Sequence, residues 1–172
     1  MLELIVGGAR SGKSQLAETR AAACGLAVTY IATGQALDEE MAARIAHHRS
    51  RRPAEWRTVE APLRLTAALA AEAAADRCLV VDCLTLWLSN LLLAGKEAEE
   101  LPALLAALPG LAGQVILVSN EVGWGIVPAN ALARRFSDEQ GRLNQRVAAL
   151  CDRVTLTVAG LPLELKPGGN IR

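Results

Sequence analysis

The chain has 172 residues, about half of them apolar, a length that suits one compact core burying roughly two-thirds of the surface an unfolded chain exposes. Its 18 basic and 18 acidic side chains cancel, so no general field draws it to a nucleic-acid backbone or an anionic membrane, and any partner must be recognised locally. Cys24, Cys78, Cys83 and Cys151 have no C-x-x-C spacing, which argues against a zinc or dithiol site and for reduced, mostly buried thiols.

No basic region and apolar stretch of a secretory signal opens the sequence. The most apolar run, Leu79 to Ala94, carries Asp82 and Asn90 and reads as a strand followed by a helix, not as a membrane span. A cytoplasmic protein without stable membrane insertion is expected. One domain over residues 1–166 and a loose tail over 167–172, rich in Pro and Gly, complete the outline.

Short runs of Val, Ile and Leu alternate with longer segments of helical period, the pattern of an α/β fold with a mainly parallel sheet covered by helices on both faces. Strands are expected at Glu3–Val6, Ala27–Ala32, Arg57–Val59, Leu79–Asp82, Val115–Ser119, Val154–Val158 and Leu163–Leu165. Only Gly160, Leu161 and Pro162 separate the last two, too few residues for a parallel crossover, so an antiparallel C-terminal hairpin is expected.

The first strand runs into Gly7-Gly8-Ala9-Arg10-Ser11-Gly12-Lys13-Ser14 and then into a helical segment, Gln15–Ala23. This is G-x-x-x-x-G-K-[ST] in the strand-to-helix setting its mechanism requires, so the fold is of P-loop NTPase type. Glycines let the backbone wrap phosphates, amides at the helix start face the anion, Lys13 reaches the terminal phosphates, and Ser14 can ligate magnesium.

The next helical segment, Asp38–Arg49, begins with acids and ends with bases, matching its own dipole. Met41, Ile45 and His48 share an i, i+4, i+7 spacing, which leans His48 toward the packed side and His47 toward Arg44 and Arg51. Adjacent histidines at a helix end commonly serve only as dipole partners. Here they are the chain's only histidines, set among Arg44, Arg49, Arg51 and Arg52, where a neutral imidazole could attack phosphorus while arginines steady a leaving pyrophosphate.

The Ala-rich stretch Ala61–Ala75 reads as a covering helix with Pro62 in its first turn. Asp82 ends a buried strand, where P-loop proteins carry an acid for the magnesium shell, although Asp also favours a helix N-cap there. Asn120-Glu121 ends another strand on the same edge, followed by glycines. In the last helix Leu132, Phe136, Leu143, Val147 and Leu150 form a core stripe, leaving Arg134, Asp138, Gly141 and Gln145 on a separate polar face open to a subunit contact, a ligand contact or solvent.

The ordered set of these residues resembles the bifunctional adenosylcobinamide kinase and adenosylcobinamide-phosphate guanylyltransferase family. The resemblance rests on Gly7–Ser14, Tyr30-Ile31-Ala32-Thr33, Arg44-Ile45 through His48-Arg49, and Arg52-Pro53 with Trp56-Arg57-Thr58-Val59-Glu60. It continues through Asn120–Gly123, Gly125–Pro128 and Arg135–Asp138 with Gly141, Asn144 and Gln145. Ser137 stands where the family often has arginine.

The resemblance implies phosphorylation of adenosylcobinamide by ATP or GTP, then transfer of GMP from GTP onto adenosylcobinamide phosphate through a guanylylated histidine, which maps to His48. It further implies a nucleotide site formed by Gly7–Ser14, Thr33, Gly34, Gln35, Arg49, Ser50, Arg51, Arg52, Glu60 and Asp82, magnesium at Ser14 and Asp82, and a homo-oligomer, a trimer. For Glu60 the family is the main support, since by position it could as easily cap the helix expected at Pro62. A small-molecule P-loop kinase without guanylyltransferase activity and a non-catalytic nucleotide-binding module are the alternatives compatible with the loop alone.

Overall fold

In a computed structural model, residues 1–36, 38–50 and 52–167 are described, with Glu40, Arg44, His47, His48 and Arg49 described by backbone only. One seven-stranded sheet organises them: β1 (Leu2–Gly7), β2 (Ala27–Ala32), β3 (Arg57–Glu60), β4 (Arg77–Asp82), β5 (Gln114–Asn120), β6 (Arg153–Val158) and β7 (Leu161–Lys166). Their spatial order is β3-β2-β4-β5-β1-β6-β7. Every neighbouring pair is parallel except β6 with β7, an antiparallel hairpin. The expected strands are all present.

Alternate side chains of the central strands enter opposite cores. Leu4, Val6, Leu79, Val81, Val115 and Leu117 pack with α3 (Leu65–Glu72), α4 (Leu84–Ala94), α5 (Glu97–Ala107) and α6 (Ala131–Leu150). Ile5, Tyr30, Val80, Ile116 and Val118 pack against α1 (Lys13–Ala23). The remaining helix, α2 (Glu39–Ser50), brings Ile45 against Gly34, just beyond β2.

Two sequence expectations change. The Ala-rich helix starts at Leu65, not near Pro62, because the Pro62 and Leu63 carbonyls accept hydrogen bonds from Asn90 Nδ2 (2.9 Å) and Trp87 Nε1 (2.9 Å) on α4. Ala61 N–H, meanwhile, extends the pairing to Ala32 O at 2.8 Å. In α6 the stripe is shorter than expected: Leu143 and Val147 are buried, but Leu132 and Leu150 are 54% and 36% exposed. A 20-residue helix runs about 30 Å, longer than a six-residue strand of about 20 Å, so its ends overhang the sheet.

An ionic cluster fastens the hairpin to the first half of the chain. Arg20 on α1 pairs with fully buried Glu3 on β1, and reaches Thr155 Oγ1 on β6 (2.8 Å) and Glu164 Oε1 on β7 (2.6 Å). Arg153 Nη1 lies 3.8 Å from the second Glu3 oxygen.

Candidate functional site

The parallel strands all end on one edge, and register brings their last residues level: Gly7 lies beside Asn120, and Ala32 beside both Glu60 and Asp82. The carboxyl edge of an open α/β sheet is where the connecting loops leave room for a ligand. Gly7–Ser14, Thr33, Gly34, Gln35, Glu60 and Asp82 end or follow strands at that edge.

The phosphate loop leaves β1 at Gly7, where an added Cβ would meet Thr157 O of β6 at 2.3 Å and Ser11 Oγ at 2.8 Å. Only glycine fits. Arg10 adopts φ 56° and Gly12 φ 99°, closing the loop, and Gly12 stands as N-cap of α1 without a side-chain cap. No acid occupies the first turn of α1, so its free amides and positive dipole end remain available to an anion. The β6–β7 turn braces the loop from outside, Gly160 N–H donating to Ser11 O at 2.9 Å. Gly8, Ala9 and Arg10 are exposed.

Lys13 is 7% exposed, and its ammonium donates to Gly8 O and Ser11 Oγ (3.5 Å), folding back over the loop that a phosphate would fill. Burial lowers its pKa below the ordinary 10.5, opposed by Cys83 and Asp82. Ser14 Oγ donates to Asp82 Oδ2 at 3.2 Å, joining the loop's last residue to the end of β4. Asp82 is not a cap: α4 has Cys83 at its N-cap and no side-chain hydrogen bond there.

Asp82 Oδ2 also accepts from the hydroxyl of Tyr30. Tyr30 is 1% exposed, and burial, reinforced by the Asp82 charge, raises its pKa, keeping the hydroxyl a donor. The Arg52 guanidinium lies 3.3 Å from the ring centroid on Tyr30's other side. A chain of contacts thus runs from the segment after α2, through Tyr30 and Asp82, to Ser14. In the sequence Tyr30 stands out only as part of a motif, because an aromatic ring in a buried strand gives no sign of a partner 52 positions away.

Thr33 is fully buried, and both bonds of its hydroxyl go to the same backbone: Oγ1 donates to Cys83 O (2.7 Å) and accepts from Cys83 N–H (2.8 Å). It ties the ends of β2 and β4 together and leaves no hydroxyl surface for a ligand. Gly34 is half-buried under Ile45 and Leu86, while Gln35, Ser50 and Glu60 are exposed. Glu60 is not a cap for α3, whose N-cap is Arg64. The side chains of His47, His48 and Arg49, all of Arg51, and residues 168–172 lie outside the described residues; the backbone of His48 belongs to the last turn of α2.

Beyond β5, residues 122–128 and α6 enclose a cleft of about 550 Å³. Arg134, Asp138, Gly141 and Gln145, set apart in the sequence as a polar face, all line it. Arg134 donates to the carbonyls of Pro128 (2.9 Å) and Ala129 (2.6 Å), fixing the loop. Trp124, Ile126 and Val127 on that loop are 72%, 98% and 75% exposed.

Residues 3–165 match the family described as cobinamide kinase / cobinamide phosphate guanyltransferase. The chain belongs to this family. It is 61% identical over 169 residues to the bifunctional adenosylcobalamin biosynthesis protein CobP of Pseudomonas aeruginosa, covering 96% of this chain and 98% of that one. It is 46% identical to the CobU protein of the same description from Salmonella typhimurium, covering 96% and 100%. The RadB recombinase shares the fold, with a TM-score of 0.54 at 18% identity, over 90% of this chain and 73% of that one. The cobinamide kinase and guanyltransferase described above is therefore a bifunctional enzyme of cobalamin biosynthesis, built on a P-loop nucleotide-binding fold. Among its described residues no helix is long and apolar enough to cross a membrane.

Proposed function

We propose that this enzyme phosphorylates adenosylcobinamide with ATP or GTP and then transfers GMP from GTP to adenosylcobinamide phosphate by way of a guanylylated His48, giving adenosylcobinamide-GDP. The observation that carries the reading is the joining of the two halves of the site: Arg52, which follows the histidine helix, stacks on Tyr30, and Tyr30 bonds the acid that bonds Ser14. One phosphate loop then serves both reactions. His48 attacks the α-phosphorus of GTP, pyrophosphate departs, and the substrate phosphate takes GMP from the histidine nitrogen.

In this reading Gly7–Ser14 hold the phosphates, Arg49 and Arg51 steady the leaving pyrophosphate, and Gln35 and Glu60, both exposed, meet the nucleoside. Magnesium fits the oxygens of Ser14 and Asp82. No group of three or more His, Cys, Asp or Glu stands ready to cage a metal among the described residues, and magnesium takes its other ligands from phosphates and water. When bound, it would neutralise charge on the β- and γ-phosphates.

We place the enzyme in the cytoplasm, consistent with its four free cysteines, as one nucleotide domain over residues 1–166 in a homo-oligomer, a trimer. The exposed leucines of edge strand β7, Leu161, Leu163 and Leu165, support such an assembly.

Incubation with GTP labelled at the α-phosphate tests the mechanism. Acid-labile, alkali-stable label is expected on the protein, lost in His48→Ala and kept in His47→Ala. An unlabelled wild-type protein would sink the histidine route, and mass measurement in solution returning a fully active monomer would sink the assembly.

A further inference from the structure

None of the nucleotide residues named above comes from β5, although it runs through the middle of the catalytic edge. β5 lies between β1, which carries the phosphate loop, and β4, which carries Asp82. Its last residue, Asn120, is level with Gly7, and the next, Glu121, donates its backbone N–H to Gly7 O at 3.0 Å. Glu121 therefore starts within one hydrogen bond of the phosphate loop's first residue.

Its side chain is held from within the protein. Asn144 Nδ2 donates to Glu121 Oε1 and to Asn120 O, each at 3.0 Å. Asn144 Oδ1 accepts from Ser119 Oγ (2.7 Å) and Gln140 Nε2 (3.0 Å), and Gln140 Nε2 also reaches Ser119 Oγ at 2.9 Å. Ser119 and Gln140 are fully buried and Asn144 is 5% exposed. Buried polar groups cost free energy that apolar packing would not, so such a network is weak evidence for stability and better evidence for holding something in place. What it holds is half-buried Glu121, whose Oε2 has no partner among the described residues.

The other carboxylates of this edge are less suited to meet an incoming hydroxyl. Asp82 Oδ2 is engaged by Ser14 and Tyr30. Glu60 ends β3, four strands from β1, about 19 Å at the usual spacing of about 4.8 Å. Immediately after Glu121, Val122 begins the wall of the 550 Å³ cleft with its exposed apolar loop. Glu121 thus adjoins the phosphate loop through Gly7 on one side and the first lining residue of the cleft, Val122, on the other.

We infer that Glu121 is a catalytic residue of the kinase half-reaction, an inference that rests on the function proposed above. Its carboxylate accepts the hydrogen bond of the acceptor hydroxyl, entering from the cleft side, and takes that proton as the hydroxyl oxygen bonds to the γ-phosphorus. The bond from the γ-phosphorus to the β,γ-bridging oxygen breaks, the nucleoside diphosphate departs, and the carboxyl passes its proton to water. Asn144 is a positioning residue that acts through Glu121. Histidine guanylylation needs no acceptor hydroxyl and therefore no Glu121.

Two labels on the same preparations separate the possibilities: γ-labelled ATP with adenosylcobinamide for phosphorylation, and α-labelled GTP alone for the protein–GMP adduct. Glu121→Gln is expected to lower kcat for phosphorylation about 10²- to 10⁴-fold, with KM for nucleotide within about 3-fold and adduct formation retained. Asn144→Ala, checked for folding by circular dichroism, is expected to lower kcat about 10-fold with nucleotide KM unchanged. A Glu121→Gln enzyme that phosphorylates within about 3-fold of wild type overturns the inference alone. Loss of both labels in that variant overturns it too, as a collapsed site. Wild-type protein that never phosphorylates the corrinoid overturns the function on which it rests.

Discussion

Tyr30 donates its hydroxyl to Oδ2 of Asp82, the same oxygen that takes the hydrogen bond of Ser14 at 3.2 Å. One strand's tyrosine thus sets the orientation of the next strand's acid against the phosphate loop. Removing it in Tyr30→Phe is expected to cost about 1.5–3 kcal/mol, the range for a hydrogen bond to a charged group, and to raise the magnesium needed for half-maximal turnover. Urea unfolding and a magnesium titration of phosphorylation measure the two effects. An unchanged magnesium requirement would restrict Tyr30 to stability.

The two ends of the site differ in what a single methyl group does. At Gly7 an added Cβ faces a backbone carbonyl of β6, whereas at Gly123 nothing lies within 4 Å. Gly7→Ala is expected to lose more than about 3 kcal/mol and its triphosphate binding, and Gly123→Ala to stay within about 0.5 kcal/mol of wild type. Thermal unfolding with and without nucleotide distinguishes them.

The strands and the phosphate loop were legible because their signals are local. Runs such as Leu79-Val80-Val81 declare a buried strand, and the glycine-lysine spacing needs only its strand-to-helix setting. Contacts made across the fold left no such trace. Gln140 and Asn144 are buried polar residues in α6 that periodicity could not separate from surface ones, and their partners Ser119 and Glu121 come from β5 and the loop after it. Pro62 looked like the start of a helix because nothing nearby reveals that Trp87 and Asn90 claim its turn's carbonyls.

Arg20 is the main counter-charge of Glu3, which is fully buried, since Arg153 stands off at 3.8 Å. Arg20→Met alone strands that carboxylate and is expected to cost about 3–5 kcal/mol. Combining it with Glu3→Gln should recover most of the loss, because the uncompensated charge goes with it. Denaturant midpoints of the two single variants and the double variant close the cycle.

Burial pushes the thiols of Cys78 and Cys151 up to about 12 from 9, and both lie at the sheet edge opposite the phosphate loop. With folded values above unfolded ones, their contribution to stability is complete below about pH 9 and is lost as pH rises toward 12. Lys13, lowered from 10.5, works in the opposite sense as a single group. The urea midpoint is expected to fall between about pH 8.5 and pH 10.5, and the decline should flatten in Cys78→Ala/Cys151→Ala. Equal slopes for both proteins would refute the assignment.

β1 is the first strand along the chain, yet it is flanked by β5 and β6, and its loop rests on Gly160. During synthesis the glycine-lysine segment leaves the ribosome early, while the two strands that shape it and the turn that braces it are still untranslated. A nascent chain halted before residue 150 would carry the whole motif, and is expected to retain a labelled triphosphate less well than the chain extended past Gly160. Affinity for nucleotide is therefore expected to follow the making of β6 and its turn, not of the motif itself.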